Sequence, residues 1–289
     1  MPVSRTIKDI LREQNLAPSK KLGQNFLIHK HTPQLIVDRS GVGSDETVVE
    51  LGVGLASLTI PLAAKVKQVI GIELDSGIIK WHQESGDLPP NVELIHQDLL
   101  KADFADLASR CGGKLKIMAN LPYSISNPLL FKLIDNQPVM GWATLMLQKE
   151  VAQRLTAKVG SKEYGILSVL LGACASVETL MTVGPEQFHP RPKVDSQVVK
   201  IVFDPVPERV KDLPAHDSIL LRQLVKGAFQ QRRKTLLNSL AATALAGCGK
   251  SVVSDILVRA EIDPKIRAER LWVEDFVRLA NVVSALPSA

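Results

Sequence analysis

Between Thr47 and Leu147 the chain alternates short β-branched apolar runs with helical segments, and this alternation limits the possible folds more than any other feature. Thr47 to Leu51, Gln68 to Glu73, Val92 to His96, Leu115 to Ala119 and Ala143 to Leu147 read as strands. Leu58 to Ala64, a segment from Ser76, and Pro128 to Asp135 read as helices between them. Strands that run the same way need a crossover, and a helix supplies it. The pattern therefore predicts an α/β fold of the Rossmann-like kind, a parallel sheet covered on both faces. Val151 to Leu155 and Ile166 to Ala175 read as helical, whereas Val177 to Val183 and Gln197 to Phe203 read as strands that could form an antiparallel edge on the same sheet.

The flanks differ. Ile7 to Gln14 predicts a short amphipathic helix, followed by a basic turn at Lys20-Lys21, a loop at Gly23 to Leu27, and a helix from Leu35 to Ser40 ending at Gly41. Asp204-Pro205-Val206-Pro207 marks a boundary. Beyond it His216 to Gln230, Lys234 to Ala244, Val252 to Arg259 and Val273 to Ser284 carry apolar residues at helical spacing, with Gly247 and Gly249 breaking the second from the third. The expected division is an α/β domain over 1–204 and a smaller all-helical domain over 205–289.

Composition narrows the class. Of 289 residues, 45% are hydrophobic and 22% charged, so the chain can bury a core. A net charge of +5 is compatible with a nucleic-acid partner without requiring one. Cys111, Cys174 and Cys248 are too widely spaced for a zinc site, and no histidine falls in a metal-binding pattern, so no metal is expected. Met1 to Leu16 lacks an apolar signal core and Ile166 to Val177 is too short to span a bilayer, which makes a cytoplasmic location the expectation.

Chemistry gathers at the strand ends. In Glu50-Leu51-Gly52-Val53-Gly54, Gly52 and Gly54 let a ligand approach the backbone, and the next helix offers amide donors. A dinucleotide fingerprint needs a third glycine where Ser57 stands, so the loop suits S-adenosylmethionine (SAM) better than NAD. Glu73 ends the second strand, where an acid can accept from both ribose hydroxyls. Asp98 follows the third and can accept from an adenine amine, with Leu74 and Leu99 placed to sandwich the ring. Each acid alone could be a solvated loop residue. Glu50, Glu73 and Asp98 in phase at successive strand ends are harder to dismiss, because such sheets bind ligands at their carboxyl ends.

Asn120-Leu121-Pro122-Tyr123 ends the fourth strand. Two carbonyls, from the Asn120 side chain and the Leu121 backbone, could accept from an exocyclic amine and turn its lone pair toward a methyl donor. Pro122 restricts the turn and Tyr123 offers a face for stacking. By itself the tetrapeptide also fits a strand-ending turn with a packed tyrosine. Arg154, Lys158, Lys162, Arg191, Lys193, Arg232, Arg233 and Lys234 are candidate phosphate contacts, or simply solvated cations.

These residues resemble the KsgA-type ribosomal RNA adenine dimethyltransferases, a family that also includes the erythromycin-resistance methylases. The likeness runs nearly end to end: Lys21 to Leu27, Glu50 to Thr59, Glu73 to Asp75, Gln97 to Leu99, Asn120 to Tyr123, Gln148 to Ala152, Tyr164 to Val169, Phe188 to Ser196 and Phe229 to Leu236. The resemblance implies SAM contacts at Asn25, Leu27, Gly52, Glu73, Asp98 and Asn120, with base handling by Asn120, Leu121 and Tyr123 and with Phe188 on the other face of the base. It implies an enzyme that works on small-subunit rRNA in a pre-ribosomal particle, with SAM as cofactor; a monomer is the default expectation, apart from the resemblance. The chain departs from the family at Val53, where proline is usual, and at Ala56, where glycine is usual.

Rival readings differ in class. A DNA adenine methylase carries a similar Asn/Asp-Pro-Pro-Tyr/Phe motif. A large-subunit resistance methylase shares the family, but the long helical C-terminus, with Phe229-x-x-Arg232-Arg233-Lys234 and Arg267 to Leu271, resembles the small-subunit group. A nucleic-acid-binding assembly factor without catalysis would not need the intact tetrapeptide and acids. An NAD-dependent oxidoreductase is disfavoured by Ser57.

Overall fold

The computed structural model describes residues 23–286. The expected N-terminal helix and the basic turn at Lys20-Lys21 lie outside them. By packing, the described chain falls into two units, one of residues 23–152 and 177–205, the other of residues 153–176 and 206–286. This division differs from the expected one, because 153–176 pack with the C-terminal helices.

The first unit begins with β1 (Phe26–Leu27), α1 (His31–Ser40), β2 (Thr47–Leu51), α2 (Thr59–Ala63), β3 (Gln68–Glu73), α3 (Ser76–Ser85), β4 (Val92–His96), α4 (Phe104–Arg110) and β5 (Leu115–Asn120). It continues with α5 (Ser126–Asp135), β6 (Met140–Gln148) and α6 (Lys149–Leu155), the last straddling the unit boundary. After α7 (Ile166–Gly172), which belongs to the second unit, come β7 (Ser176–Val183), β8 (Phe188–His189) and β9 (Ser196–Val202).

Seven strands form one sheet in the order β4-β3-β2-β5-β6-β9-β7, and β1 pairs with β8 apart from it. Strands β4, β3, β2, β5 and β6 are parallel neighbours, and β9 runs antiparallel to β6. The five parallel strands are those read from the sequence, and the two further strands expected at the edge follow β6, with β9 antiparallel to it and β7 outermost. Chain order reverses between β3-β2 and β5, which opens a crevice at the carboxyl ends of β2 and β5.

Local chemistry explains the elements. The Asp75 side chain caps α3 by accepting from the amides of Gly77 and Ile78, and left-handed Gly86 ends the helix. Helix α4 has no counterpart in the sequence reading. Its signal is local all the same: Asp103 accepts from the amides of Ala105 and Asp106, and Phe104, Leu107 and Ala108 are buried. Strand β6 starts three residues earlier than expected because Met140, Gly141 and Trp142 are also buried against the sheet.

In the second unit α7 is joined by α8 (Glu208–Lys211), α9 (Ser218–Phe229), α10 (Leu236–Ala241), α11 (Gly249–Arg259) and α12 (Val273–Ser284). Phe229 packs edge-on to Tyr164 and stacks with Phe276, and the Tyr164 hydroxyl donates to the Leu271 carbonyl at 2.9 Å. Arg209 donates to the carbonyl of Gly172 at 2.8 Å. Those contacts tie 153–176 into the helical unit, a long-range relation that no local pattern records.

Candidate active site

At the carboxyl end of β2 the chain enters a tight loop. Gly52 and Gly54 have φ of +80° and +52°. A Cβ on Gly54 would also meet the Phe26 ring at 3.1 and 3.3 Å. Val53 fits because β3 carries Gly71: a Cβ there would lie 2.5 Å from the Val53 side chain. Ala56 has φ +59°, so at the position where the family usually has glycine this chain holds alanine in the left-handed region. Ser57, which stands in place of the third glycine of a dinucleotide fingerprint, donates its hydroxyl to the Leu27 carbonyl at 3.0 Å.

Residues 23–27 lie against this loop. Phe26 clusters with Leu55, Ile78 and Trp81. Gln24 donates to Asp75 at 3.1 Å, the Asn25 side chain donates to the Gly23 carbonyl at 3.1 Å, and Asn120 Nδ2 approaches the Asn25 carbonyl at 3.5 Å.

A cavity opens over these strand ends. Asn25, Leu27, Gly52, Gly54, Glu73, Leu74, Asp98, Leu99 and Asn120 all line it, as does Glu50. Every residue expected to hold the cofactor is therefore brought to one place. Backbone amides set the Glu73 carboxylate: Oε2 accepts from Gly54, and Oε1 accepts from Leu74 and Asp75, each at 2.8 Å. Asp98 Oδ1 accepts from the Leu100 amide at 2.9 Å. Leu74 is half exposed on the cavity side of β3, and Leu99 is buried.

Glu50 is 1% exposed, and among the described residues its Oε2 has no hydrogen-bond partner. Burial pushes its carboxyl up to about 8; the Thr59 hydroxyl offsets part of this and the nearby charge of Glu73 adds to it. A buried acid facing a cavity with an unused oxygen suits a ligand that brings a cation or a donor.

The base-handling residues divide. Asn120 and Pro122 line the cavity, with Pro122 at φ −54° and ψ 133°. Leu121 is buried, its side chain near Gly52. Tyr123 is not among the lining residues; its hydroxyl lies 2.8 Å from that of Ser196, and burial pushes the phenol up. Phe188 departs from what the resemblance implies. It is 3% exposed and sits in the core cluster with Leu27, Ile36 and Val37, because β8 pairs with β1 and turns the ring inward.

All the candidate phosphate contacts, Arg154, Lys158, Lys162, Arg191, Lys193, Arg232, Arg233 and Lys234, are exposed. Arg232 is engaged. It donates to the carbonyls of Lys162 and Tyr164 at 2.9 and 3.0 Å and lies 3.6 Å from Glu269. Among the described residues no cluster of His, Cys, Asp and Glu could hold a metal ion, and no helix is long and apolar enough to cross a membrane.

Comparison with known proteins shows the family. A family model described as ribosomal RNA adenine dimethylase matches residues 16–284. Over 279 residues the chain is 50% identical to the ribosomal RNA small subunit methyltransferase A of Desulfotalea psychrophila, covering 94% of this chain and 93% of that one. It is 39% identical over 279 residues to the protein of the same name from Syntrophus aciditrophicus, covering 96% and 98%. Among solved structures, a dimethyladenosine transferase from Plasmodium falciparum matches with a TM-score of 0.71 at 27% identity, covering 88% of this chain and 95% of that one. The chain belongs to the ribosomal RNA adenine dimethylase family.

Proposed function

We propose that this protein uses SAM to dimethylate the exocyclic amines of two adjacent adenines near the 3′ end of small-subunit rRNA, acting on a pre-ribosomal particle. The observation that carries the reading is the convergence of Glu73, Asp98 and Asn120, from the ends of three parallel strands, on one cavity beside a glycine loop. The names of the 50% and 39% identical relatives support the small subunit as the source of the RNA.

The cavity fits SAM in kind. Gly52 and Gly54 leave room at the backbone, and the unused oxygen of Glu50 suits the ligand's ammonium. Glu73 spends three of its carboxylate's roughly four lone-pair sites on backbone amides and keeps one, on Oε2, for a ribose hydroxyl. The second oxygen of Asp98 would accept from the adenine amine of the cofactor, with Leu74 and Leu99 on the ring faces. When bound, SAM supplies an already activated methyl group, so the chain's task is to position the substrate amine. Asn120 and the Leu121 carbonyl would accept from that amine and aim its lone pair; no general base is assigned. Tyr123 would stack on the substrate base. Phe188, buried in the core, has no part in this scheme.

Arg191 and Lys193 in the first unit, and Arg154, Lys158, Arg233 and Lys234 in the second, would each offer a phosphate contact to RNA. A monomer suffices, since every named group lies on one chain, and we place the enzyme in the cytoplasm, where bacterial small subunits assemble. The test is to incubate the protein and SAM with unmethylated small subunits, with large subunits and duplex DNA as comparisons, and to map modified bases by primer extension. Two adjacent modified adenines in the small-subunit RNA are expected. Modification of DNA or large-subunit RNA alone would overturn the reading.

A further inference from the structure

Gly54 is held at both ends of its backbone. Its amide donates to Glu73 at 2.8 Å, and its carbonyl oxygen lies 2.8 Å from Nε2 of His82. His82 sits on α3 and is 3% exposed. Its Nδ1 is 2.9 Å from Oδ1 of Asp87, which also accepts from the Ser85 hydroxyl at 2.7 Å. The Gly54 carbonyl can only accept, so the bond to it is made by a proton on Nε2.

An apolar side chain would fill this place at less cost, because a buried polar ring must be paired. The neighbours are apolar: Trp81 packs with Phe26, Leu55 and Ile78 over the same loop. Among the described residues, the ring nitrogens of His82 engage the glycine loop and Asp87. We propose that His82 is a positioning residue for the cofactor loop, with Asp87 fixing the plane of its ring. The proposal rests on the SAM reading above. Without His82 the Gly54 carbonyl loses its partner, and the left-handed Gly54 peptide can rotate. Rotation would withdraw the Gly54 amide from Glu73, so the loop and the ribose-binding acid would loosen together.

The test is calorimetric titration with S-adenosylhomocysteine on the wild type, His82→Ala, His82→Gln, Asp87→Asn and the double variant His82→Gln/Asp87→Asn, each checked by thermal melting. A Gln amide reaches about as far as Nε2 and donates without help from Asp87. His82→Ala should weaken binding about tenfold, the scale of one lost hydrogen bond to a buried carbonyl. His82→Gln should recover binding to within about threefold of the wild type, and Asp87→Asn should weaken it in the wild type yet change nothing in the Gln background. KM for SAM should rise while KM for RNA stays put. Binding by His82→Ala equal to the wild type overturns the proposal, as does a folded His82→Gln that binds as weakly as His82→Ala. If His82→Ala does not fold, the Gln and Asn variants decide. A wild type that fails to bind S-adenosylhomocysteine overturns the SAM reading itself, and this proposal with it.

Discussion

The hydroxyl of Tyr123 lies 2.8 Å from Oγ of Ser196, and Ser196 is fully buried at the start of β9. One end of the tyrosine is thus tied to the antiparallel part of the sheet while its backbone leaves the parallel part at β5. The bond anchors the hydroxyl end of the side chain on which we propose the substrate base stacks. Ser196→Ala and Tyr123→Phe should each slow single-turnover methylation of small subunits by about three- to tenfold, the scale of one net hydrogen bond. The double variant should be no slower than either single one. S-adenosylhomocysteine affinity should not change, because neither residue lines the cavity in which we propose SAM binds. Additive losses would show that the two side chains act separately.

Ala56 is a residue in the wrong conformation for its side chain. At φ +59° it bears a steric cost of about 1–2 kcal/mol that glycine avoids, partly offset by glycine's greater loss of backbone freedom. Ala56→Gly should stabilise the protein by up to about 1 kcal/mol, or roughly 2–4 °C in Tm for a chain of this size. Gly86, at φ +58° with no atom within 4 Å of where a Cβ would stand, is the mirror experiment. Gly86→Ala should destabilise by about 1 kcal/mol. Shifts of the same sign in both variants would refute the strain argument.

The buried acid Glu50 gives stability a pH dependence with a definite sign. Its folded pKa, about 8, stands above its ordinary value of 4.5. Between those values the folded state holds a proton that the unfolded state has lost. The free energy of unfolding therefore falls as pH rises through the window, and the loss is complete only above about 8. Glu50→Gln removes this contribution while keeping shape. Denaturant melts from about pH 4 to 9, bracketing both values, should show the variant gaining on the wild type as pH rises. Parallel curves across that range would mean that Glu50 ionises as easily as an exposed acid.

The sheet was legible because each parallel strand is a short apolar run bounded by breakers, and because Glu50, Glu73, Asp98 and Asn120 sit in phase at the ends of those runs. The period-two and period-3.6 signals are local, and so are strand ends. The missing parts depend on partners distant in sequence. Strands β1 and β8 are two residues each and exist only because Leu27 meets Phe188 from far along the chain. That pairing buries Phe188, which no pattern around residue 188 reveals. Segment 153–176 reads as the end of one helix and most of a second, yet the Tyr164 hydroxyl between them finds its acceptor at Leu271. His82 reads as an ordinary helix residue until the fold sets it under Gly54. Helix α4 is different, since the Asp103 cap and Phe104 form a readable start.

Three adjacent cations, Arg232, Arg233 and Lys234, look equivalent in sequence, and the structure separates them. Arg232 satisfies the carbonyls of Lys162 and Tyr164 and faces Glu269, so its loss leaves backbone acceptors unpaired. Arg232→Ala should lower Tm, with a cost of about 1–2 kcal/mol to the helical unit. All three are exposed, but among the described residues the side chains of Arg233 and Lys234 make no hydrogen bond or ion pair, so alanine there should leave Tm within about a degree, as for surface changes in general. If these two contact phosphates, each substitution should weaken RNA binding and make the slope of log K against log salt shallower by about 0.7–0.9. Filter binding to a small-subunit RNA fragment at several salt concentrations, run beside thermal melts, checks both halves. The separation fails if Arg233→Ala or Lys234→Ala melts early, or if Arg232→Ala leaves the Tm unchanged and changes only the salt slope.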